Sequence, residues 1–242
     1  MNPIRKKALL IIPCFNEEQN IVQLLHDLKQ IEIENTDLVF LPINDGSSDD
    51  TLLNITSNSE TYLNLVNNIG IGGAVQSGIK YAYRNGFDFA IQMDGDGQHP
   101  PSELEKIINH ANHAQLDLCI GSRYIDLEGF QSTFFRKLGI NMLNKMIWLT
   151  TKKKVYDCTS GYRLYNKKAL FLFSKYYPDK YPEPESLVYA LLHKLKVGEV
   201  GVIMKERKGG VSSISGFSTL YYMTKVSLAI AFLKLSFIFN KK

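Results

Sequence analysis

One acidic stretch follows an apolar run and precedes a helix start: Ile91-Gln92-Met93-Asp94-Gly95-Asp96-Gly97-Gln98-His99-Pro100-Pro101. Asp94, Asp96 and Gln98 are two residues apart, so an extended backbone would direct their side chains to the same side. The two glycines between them leave space for a bulky group against the backbone. Two carboxylates and an amide oxygen are hard ligands that suit Mg²⁺ or Mn²⁺, ions that also bind substrate phosphates. The stretch therefore predicts a divalent-metal site, and the alternative is a polar turn after a buried strand.

Apolar runs alternate with helical patterns through the first half of the chain. Five runs predict strands, at residues 8–12, 38–43, 62–66, 87–93 and 116–120. Apolar residues at helical spacing predict helices between them, the first capped by Asn16 and later ones over 72–83 and from Leu104 onward. Such strict alternation is typical of an α/β fold with a mostly parallel central sheet and helices on both faces.

The alternation stops after about residue 124, where the pattern becomes less regular. Helices are predicted over 134–149 and 185–195, and a last strand over 199–204. A chain of 242 residues that is 45% hydrophobic can bury a full core. We expect one domain over residues 1–215, followed by an apolar helix over 216–242.

Polar residues follow each of the five predicted strands. They are Asn16-Glu17, Asp45, Asn67-Asn68, Asp94-Asp96 and Ser122-Arg123. In open α/β sheets, ligands bind at the carboxyl ends of the strands. The sequence therefore predicts one ligand site along that edge of the sheet.

The net charge of +4 conceals a strong asymmetry between the two halves of the chain. Residues 1–133 hold 8 Lys and Arg against 18 Asp and Glu, whereas residues 134–242 hold 20 against 6. A basic second half indicates contact with anionic lipid, nucleic acid or phosphate. Since no interleaved aromatic and basic motif of a nucleic-acid module is present, lipid or phosphate is favoured and no nucleic-acid partner is expected.

The cysteine pattern and the N-terminus indicate the cytoplasm. Cys14, Cys119 and Cys158 form neither a C-x-x-C pair nor a metal-binding spacing, which favours reduced thiols. The N-terminal charges lead into only a short apolar run that ends at Pro13, so no signal peptide is expected.

The tail over 217–239 is almost wholly apolar but contains Lys225 and Lys234. A helix spanning a bilayer would carry both charges at a cost. The pattern favours a helix that lies in the membrane interface with its lysines reaching the head groups, on the cytoplasmic face of the cell membrane. The alternative is a helix packed on the protein's own core.

Two common nucleotide-binding motifs are missing. The first predicted strand-to-helix turn, residues 13–18, contains no glycine and so does not match the G-x-G-x-x-G of a dinucleotide-binding enzyme. No G-K-[ST] of a P-loop occurs either. These absences favour a phosphate-bearing ligand that is bound through a metal rather than through glycine amides.

Six motifs follow one another in an order characteristic of a known family. They are Pro13-x-Phe15-Asn16-Glu17, Asn44-Asp45-Gly46-Ser47-Ser48-Asp49-x-Thr51, Asp94-Gly95-Asp96-x-Gln98-His99-Pro100, Gly121-Ser122-Arg123-Tyr124, Asp157-x-Thr159-Ser160-Gly161-Tyr162-Arg163 and Glu206-Arg207-x-Gly209-Gly210-x-Ser212-Ser213. This set resembles the family 2 glycosyltransferases, and within them the polyprenyl-phosphate (dolichyl-phosphate mannose synthase-like) branch. The resemblance implies a nucleotide-diphospho-sugar transferase (GT-A) fold, a divalent metal, Mg²⁺ or Mn²⁺, and inversion at the anomeric carbon.

The resemblance also implies roles for residues at the donor side. Pro13, Asn16, Glu17 and Asp45 resemble the pocket for the base and ribose of a nucleotide-diphosphate sugar such as a UDP- or GDP-sugar. Asp94 and Asp96 resemble the metal and ribose acids, with Gln98 as a further metal ligand and Asp96 in the catalytic set. For Asp45 the alternative is an Asx turn that caps the next helix, and His99 is expected to shape the turn before Pro100.

On the acceptor side, Arg123, Arg136 and Arg207 resemble arginines that hold phosphates, a task suited to the guanidinium fork. Ser212 and Ser213 are expected in a loop that closes over the diphosphate. Asp157 resembles an acid near the sugar. If the acceptor is a hydroxyl, Asp157 or another acid would act as general base, and if the acceptor is a phosphate, Asp157 would orient Arg163 or the sugar. Glu183 and Glu185 form a carboxylate pair without an assigned role.

Four functions are consistent with these residues. The leading hypothesis is an inverting transferase that moves a sugar to undecaprenyl phosphate in cell-envelope glycan synthesis, and the second is transfer to a hydroxyl of a growing cell-wall or capsular glycan. A nucleotidyltransferase shares the sheet and the metal but has a glycine-rich first loop that is missing here. A non-catalytic sugar-nucleotide sensor is the fourth, and homo-oligomer formation stays open.

Overall fold

The computed structural model describes residues 5–128, 134–205 and 217–239. The strands in these segments are β1 (Lys6–Cys14), β2 (Thr36–Asp45), β3 (Leu63–Leu65), β4 (Phe89–Gln92), β5 (Leu118–Ser122), β6 (Arg163–Asn166) and β7 (Val197–Gly201). The helices are α1 (Ile21–Lys29), α2 (Thr51–Asn58), α3 (Gly70–Arg84), α4 (Leu104–His113), α5 (Phe134–Thr151), α6 (Lys167–Lys175), α7 (Pro182–Leu192) and α8 (Phe217–Phe239), with a 3-10 turn at Pro101–Glu103.

The seven strands form one sheet in the order β3-β2-β1-β4-β6-β5-β7. β1 runs parallel to β2 and β4, and β5 runs parallel to β7. β6 is antiparallel to both of its neighbours, β4 and β5. The mostly parallel sheet is confirmed, because six of its strands point the same way and their carboxyl ends share one edge.

β1 is apolar throughout its centre because both faces of the sheet are covered. Leu9 and Ile11 point into a core formed with α3, α5, α6, α7 and α8. Ala8, Leu10 and Ile12 point into the opposite core, formed with α1, α2 and α4. Alternate side chains of a strand face opposite sides, so a continuous apolar run fills both cores at once.

Three sequence predictions need correction. β6 and α6 were not predicted, since Arg163-Leu164-Tyr165-Asn166 is a short strand that directly follows a polar stretch. The last strand begins at Val197 and ends at Gly201, not at residue 204. Asn16 does not cap α1, because the residue before that helix is Asn20 and Asn16 has a left-handed backbone with φ 55°.

α8 packs against α5 and α7, and Met223, Val226 and Ile230 on its inner face belong to the main core. The predicted tail helix is therefore present, and the alternative of packing on the protein's own core holds for this inner face. Within the described segments, no helix combines the length and the apolar character needed to cross a membrane.

Candidate functional site

The loops that leave β1 and β2 are joined by hydrogen bonds at the carboxyl edge. The Asn16 side-chain oxygen accepts a bond of 3.0 Å from the backbone N–H of Ser48, and the Asn16 N–H donates to the Ser47 hydroxyl at 3.1 Å. The left-handed conformation of Asn16, which asparagine adopts more readily than most residues, turns the chain toward the β2 loop. The structure thus brings the predicted Asn16 and the Ser47-Ser48 motif together.

Glu17 lies in the corner between these two loops and is almost fully buried. Its backbone N–H donates to the Thr51 hydroxyl at 2.7 Å, and its carboxylate accepts a bond of 2.7 Å from the Asn20 amide. Pro13 is the last residue but one of β1, and its carbonyl oxygen accepts a bond of 3.3 Å from the N–H of Gly95. Pro13 and Glu17 therefore link the first strand to the loops that follow β2 and β4.

Asp45 closes β2 and is also buried. Its carboxylate accepts a bond of 2.8 Å from the N–H of Ile69, the residue that precedes α3. This bond spans 24 residues and ties β2 to the residue before α3, so it is not the local Asx turn that would cap the next helix, α2. Gly46 has φ +67°, and a Cβ there would lie 2.6 Å from the backbone nitrogen of Asn68, so glycine is required for this close approach.

The acidic turn differs from the extended arrangement predicted from its spacing. β4 ends at Gln92, and Asp94 to Gln98 form a turn in which Gly97 has φ +75°. The Asp96 carboxylate accepts a bond of 3.0 Å from the N–H of Gln98. A Cβ on Gly95 would lie 2.9 Å from the Cys14 sulfur, so this glycine allows packing against β1 and does not leave space for a ligand.

His99 holds this turn in place, as expected. Its Nδ1 accepts a bond of 3.0 Å from the backbone N–H of Asp94, and its ring stacks on Tyr162 with centroids 4.7 Å apart. Burial lowers the pKa of His99 to about 4, although the charge of Asp96 opposes the shift. The imidazole is therefore neutral at pH 7, with its proton on Nε2 and Nδ1 already engaged. This geometry favours a positioning role over metal ligation.

The residues of the acidic turn suit a divalent ion that arrives together with a phosphate ligand. Asp94 and Asp96 supply hard carboxylate oxygens, the type of donor that Mg²⁺ and Mn²⁺ select. Among the described residues, no group of three or more His, Cys, Asp or Glu side chains is placed to hold a metal by itself. Mg²⁺ is commonly bound by one or two carboxylates plus substrate phosphates and water, so a two-carboxylate turn fits this mode.

A buried ion pair lies at the carboxyl end of β5. The guanidinium of Arg123 donates from Nε and Nη2 to the two carboxylate oxygens of Asp157, both at 2.7 Å, and Nη2 also donates to Thr159 at 2.8 Å. Burial raises the pKa of Asp157, but the hydrogen bonds and charge of Arg123 outweigh it, so this pKa lies below its ordinary value. Both groups are therefore charged at neutral pH, and each neutralises the other.

Of the two partners predicted for Asp157, Arg163 or the sugar, Arg163 is bonded elsewhere. Its three donor nitrogens reach the carbonyls of Ser160 and Cys158 and the hydroxyl of Ser186 at 2.7 to 3.0 Å. Arg163 is fully buried, so it fastens the polar stretch to α7. This contact also brings the start of α7 close to the acidic turn. Burial raises the pKa of Glu183 in that first turn, and the charge of Asp94 adds to the effect.

Two residues that the sequence did not single out hold the Asp157 loop. Glu199 on β7 accepts bonds of 2.8 Å from the backbone N–H groups of both Tyr156 and Asp157. Asn144 on α5 donates to the carbonyl of Tyr156 at 2.8 Å and accepts from the N–H of Cys158 at 3.3 Å. No sequence motif marks either residue, since each is identified only by its distance from a loop that is remote in the chain.

Three predicted site residues lie outside the described parts. Arg207 and Ser213, together with Ser212, fall within residues 206–216, and the side chain of Arg136 is not among those described. Their roles stay predictions.

Comparisons with known proteins found a matching family model and similar sequences. The Glycosyl transferase family 2 model matches residues 9–171. The chain is 31% identical over 218 residues to UDP-N-acetylglucosamine–dolichyl-phosphate N-acetylglucosaminyltransferase of Methanococcus voltae, a match covering 81% of this chain and 85% of that protein. It is 28% identical over 236 residues to polyprenol monophosphomannose synthase of Mycolicibacterium smegmatis, with 92% and 86% covered.

A solved structure shares the fold. Glucosyl-3-phosphoglycerate synthase from Mycobacterium tuberculosis, in complex with Mn²⁺, UDP-glucose and phosphoglyceric acid, superposes with a TM-score of 0.70. The match covers 95% of this chain and 79% of that one at 14% identity, so it concerns the fold alone. The expected nucleotide-diphospho-sugar transferase (GT-A) architecture is confirmed.

Proposed function

This chain belongs to glycosyl transferase family 2, and we propose that it transfers a sugar, with inversion, from a nucleotide-diphosphate sugar to a polyprenyl phosphate. The names of the two relatives above specify transfer to dolichyl phosphate and synthesis of polyprenol monophosphomannose. In this proposal the product is a lipid-linked sugar for cell-envelope glycan synthesis, made at the cytoplasmic face of the membrane.

The single observation that carries the choice of acceptor is the state of Asp157. A general base must accept a proton from the acceptor, and its efficiency depends on a pKa near the working pH. Asp157 is fully buried, both of its oxygens are bonded to Arg123, and its pKa is below the ordinary value. Such a carboxylate is a poor base. A phosphate acceptor needs none, because it is already anionic when it attacks the anomeric carbon.

The donor binds, in this proposal, along the carboxyl edge of β1, β2 and β4. The base and ribose lie against Pro13, Asn16, Glu17 and Asp45, whose loops are already connected by hydrogen bonds. The diphosphate then lies at the acidic turn. Preorganised loops reduce the entropy cost of ordering the site when the nucleotide binds.

Asp94, Asp96 and Gln98 would hold Mg²⁺ or Mn²⁺ together with the diphosphate. Bound there, the ion acts as a Lewis acid that offsets the charge developing on the departing nucleoside diphosphate. Neutral His99 fixes the backbone of Asp94 and thereby orients its carboxylate. Arg136, Arg207 and Ser213 are assigned to the phosphates of acceptor and donor. The resemblance also assigns Arg123 to phosphate, but in the structure its guanidinium is paired with Asp157.

Transfer to a glycan hydroxyl is the second candidate, and one observation favours it. A hydroxyl acceptor requires a base, and burial together with the charge of Asp94 raises the pKa of Glu183 at the start of α7, which makes this carboxylate more basic than usual. Glu183→Gln separates the two candidates. It should abolish transfer to a hydroxyl, whereas transfer to a phosphate should persist.

The test is incubation with radiolabelled sugar nucleotides and Mn²⁺, with and without undecaprenyl phosphate in detergent. We expect label to enter the organic phase only when lipid phosphate is present, with release of nucleoside diphosphate. Label on a glycan without lipid label would refute the proposed acceptor. Release of pyrophosphate would indicate a nucleotidyltransferase. Full transfer by Asp96→Ala would remove the acidic turn from the mechanism.

A further inference from the structure

α8 has a second apolar face that the protein's own core does not use. Its inner residues Met223, Val226 and Ile230 are buried, but four large side chains at spacings of four, three and four are exposed: Leu228, Phe232, Leu235 and Phe239. That spacing places them on one stripe of the helix. Phe232 alone is 67% exposed. A stripe of this size on a folded protein indicates an interaction surface.

α5, which packs against α8, repeats the pattern. Ile140, Leu143 and Ile147 are buried, whereas the opposite stripe carries exposed apolar side chains with one exposed lysine among them: Leu138, Met142, Lys145 and Leu149. Two neighbouring helices therefore each bury one apolar stripe and expose another. We call the two exposed stripes together the α5/α8 face.

The charges on these helices have one sign. Residues 134–154 contain five lysines, one arginine and no acidic residue, and residues 217–239 contain two lysines and no acidic residue. Beside α5 lies a groove of about 560 Å³, whose lining includes Lys137, Lys145 and Lys154 together with Trp148 and Tyr156. Ammonium groups next to aromatic rings suit anionic head groups at the boundary between water and lipid.

We propose that the α5/α8 face docks on the surface of a lipid bilayer that carries anionic head groups. This inference deepens the proposed function and rests on its membrane location, and it names the surface responsible. A second copy of the chain fits poorly, since a two-fold contact through this face would bring lysines together without any carboxylate to pair with them. An anionic bilayer offers both the apolar layer and the opposite charge.

The docked helix is joined directly to the site. Asn144 of α5 is hydrogen-bonded to the backbone on both sides of Asp157, at Tyr156 and Cys158. Asp157 in turn holds Arg123. Docking through α5 therefore keeps the ion pair close to the lipid surface from which a polyprenyl phosphate would enter.

The experiment is sedimentation of the full-length chain with vesicles of phosphatidylcholine alone or mixed with phosphatidylglycerol. Three double variants are compared: Leu228→Ser with Phe232→Ser, Lys145→Glu with Lys154→Glu, and, as the matched control, Leu53→Ser with Lys29→Glu. The control residues are exposed on α2 and α1, away from this face. Emission of Trp148, the single tryptophan, provides a second readout on α5.

We expect the wild type to prefer the anionic vesicles and each docking variant to bind about tenfold more weakly or worse, from the lost apolar burial and the reversed charge. The control should bind like the wild type. Equal binding of all variants, or no preference for anionic vesicles, would overturn the inference. So would a wild-type dimer, in the absence of lipid, that the Leu228→Ser, Phe232→Ser variant converts to monomer.

Failure of docking can be told apart from failure of the proposed function. Transfer to lipid phosphate in detergent requires no bilayer, so a chain that transfers the sugar there but ignores vesicles retains the function and loses the docking face. A chain that binds anionic vesicles through this face but transfers no sugar to lipid phosphate retains the docking face and contradicts the proposed function. If a serine variant fails to fold, the lysine variant, which removes no apolar contact, still decides the question.

Discussion

Asp157→Asn should destabilise the protein strongly, although the change adds or removes almost no volume. Asp157 and Arg123 are buried, with side chains 0% and 10% exposed, so water hardly screens their interaction. The substitution leaves the guanidinium of Arg123 in the interior without its counter-charge. Breaking one partner of a buried ion pair costs about 3 to 5 kcal/mol. We expect this loss in the free energy of unfolding at pH 7.

The matched control is Asp37→Asn. Asp37 lies near the start of β2 and pairs with Arg5, and the two side chains are 51% and 55% exposed. An exposed pair is screened and contributes less than about 1 kcal/mol. The double variant Asp157→Leu with Arg123→Met should recover most of the loss, because replacing both members of a buried pair by apolar groups is often close to neutral.

Urea unfolding followed by circular dichroism measures these differences. With a slope of about 3 kcal/mol per molar urea, the midpoint for Asp157→Asn should fall by roughly 1 to 2 M. The folded pKa of Asp157 is below its unfolded value, so its stabilising contribution is present above about pH 4 and disappears as the pH falls through the folded pKa. The difference from wild type should therefore narrow only in acid. A loss at pH 7 no larger than that of Asp37→Asn would refute this account of the pair.

Three further predictions concern the surroundings of the site. Gly161→Ala would place a Cβ 3.1 Å from the Asp94 carboxylate, so we expect about tenfold weaker binding of nucleoside diphosphate with Mn²⁺ by thermal shift, and unchanged affinity would contradict the placement of the donor. Burial lowers the pKa of His99 to about 4, so below about pH 6.5 the unfolded chain takes up a proton that the folded chain does not. Stability should therefore fall as the pH is lowered from about 6.5 to 4, and His99→Gln should remove this dependence in calorimetry. Glu199→Gln leaves one carbonyl oxygen to accept from the backbone N–H groups of both Tyr156 and Asp157, and should lower the free energy of unfolding in urea by about 1 to 3 kcal/mol. An unchanged unfolding midpoint would show that Glu199 does not hold the Asp157 loop.

Much of the donor side could be predicted from the sequence because its residues follow consecutive parallel strands. The order of apolar runs determines where β1, β2, β4 and β5 end, and parallel strands place those ends at one edge. Asn16, Asp45 and Asp94 therefore reach the same edge without any knowledge of side-chain packing. The backbone conformation of the acidic turn could not be predicted from the sequence. The spacing of the acidic turn is compatible with an extended chain, but the close approach of Gly95 to Cys14 and the left-handed Gly97 select a turn.

The acceptor side depends on contacts between distant parts of the chain. Arg123 and Asp157 are 34 residues apart, and Asp157 and Glu199 are 42 apart. They meet because the antiparallel β6 lies between β4 and β5, which returns the polar stretch before Arg163 to the same edge. Nothing in the local pattern predicted that strand, so the sequence could not show that Asp157 pairs with Arg123 and that Arg163 is bonded elsewhere.

The sequence by itself determined the parallel sheet, the edge at which polar residues gather and the excess of positive charge in the second half, since each depends on local periodicity or composition. Tertiary structure alone decided which charges pair, at which glycines a side chain would clash with a neighbour, and which stripes of α5 and α8 stay exposed. Those properties depend on distances between residues far apart in the chain, and such distances exist only once the helices have packed on the sheet.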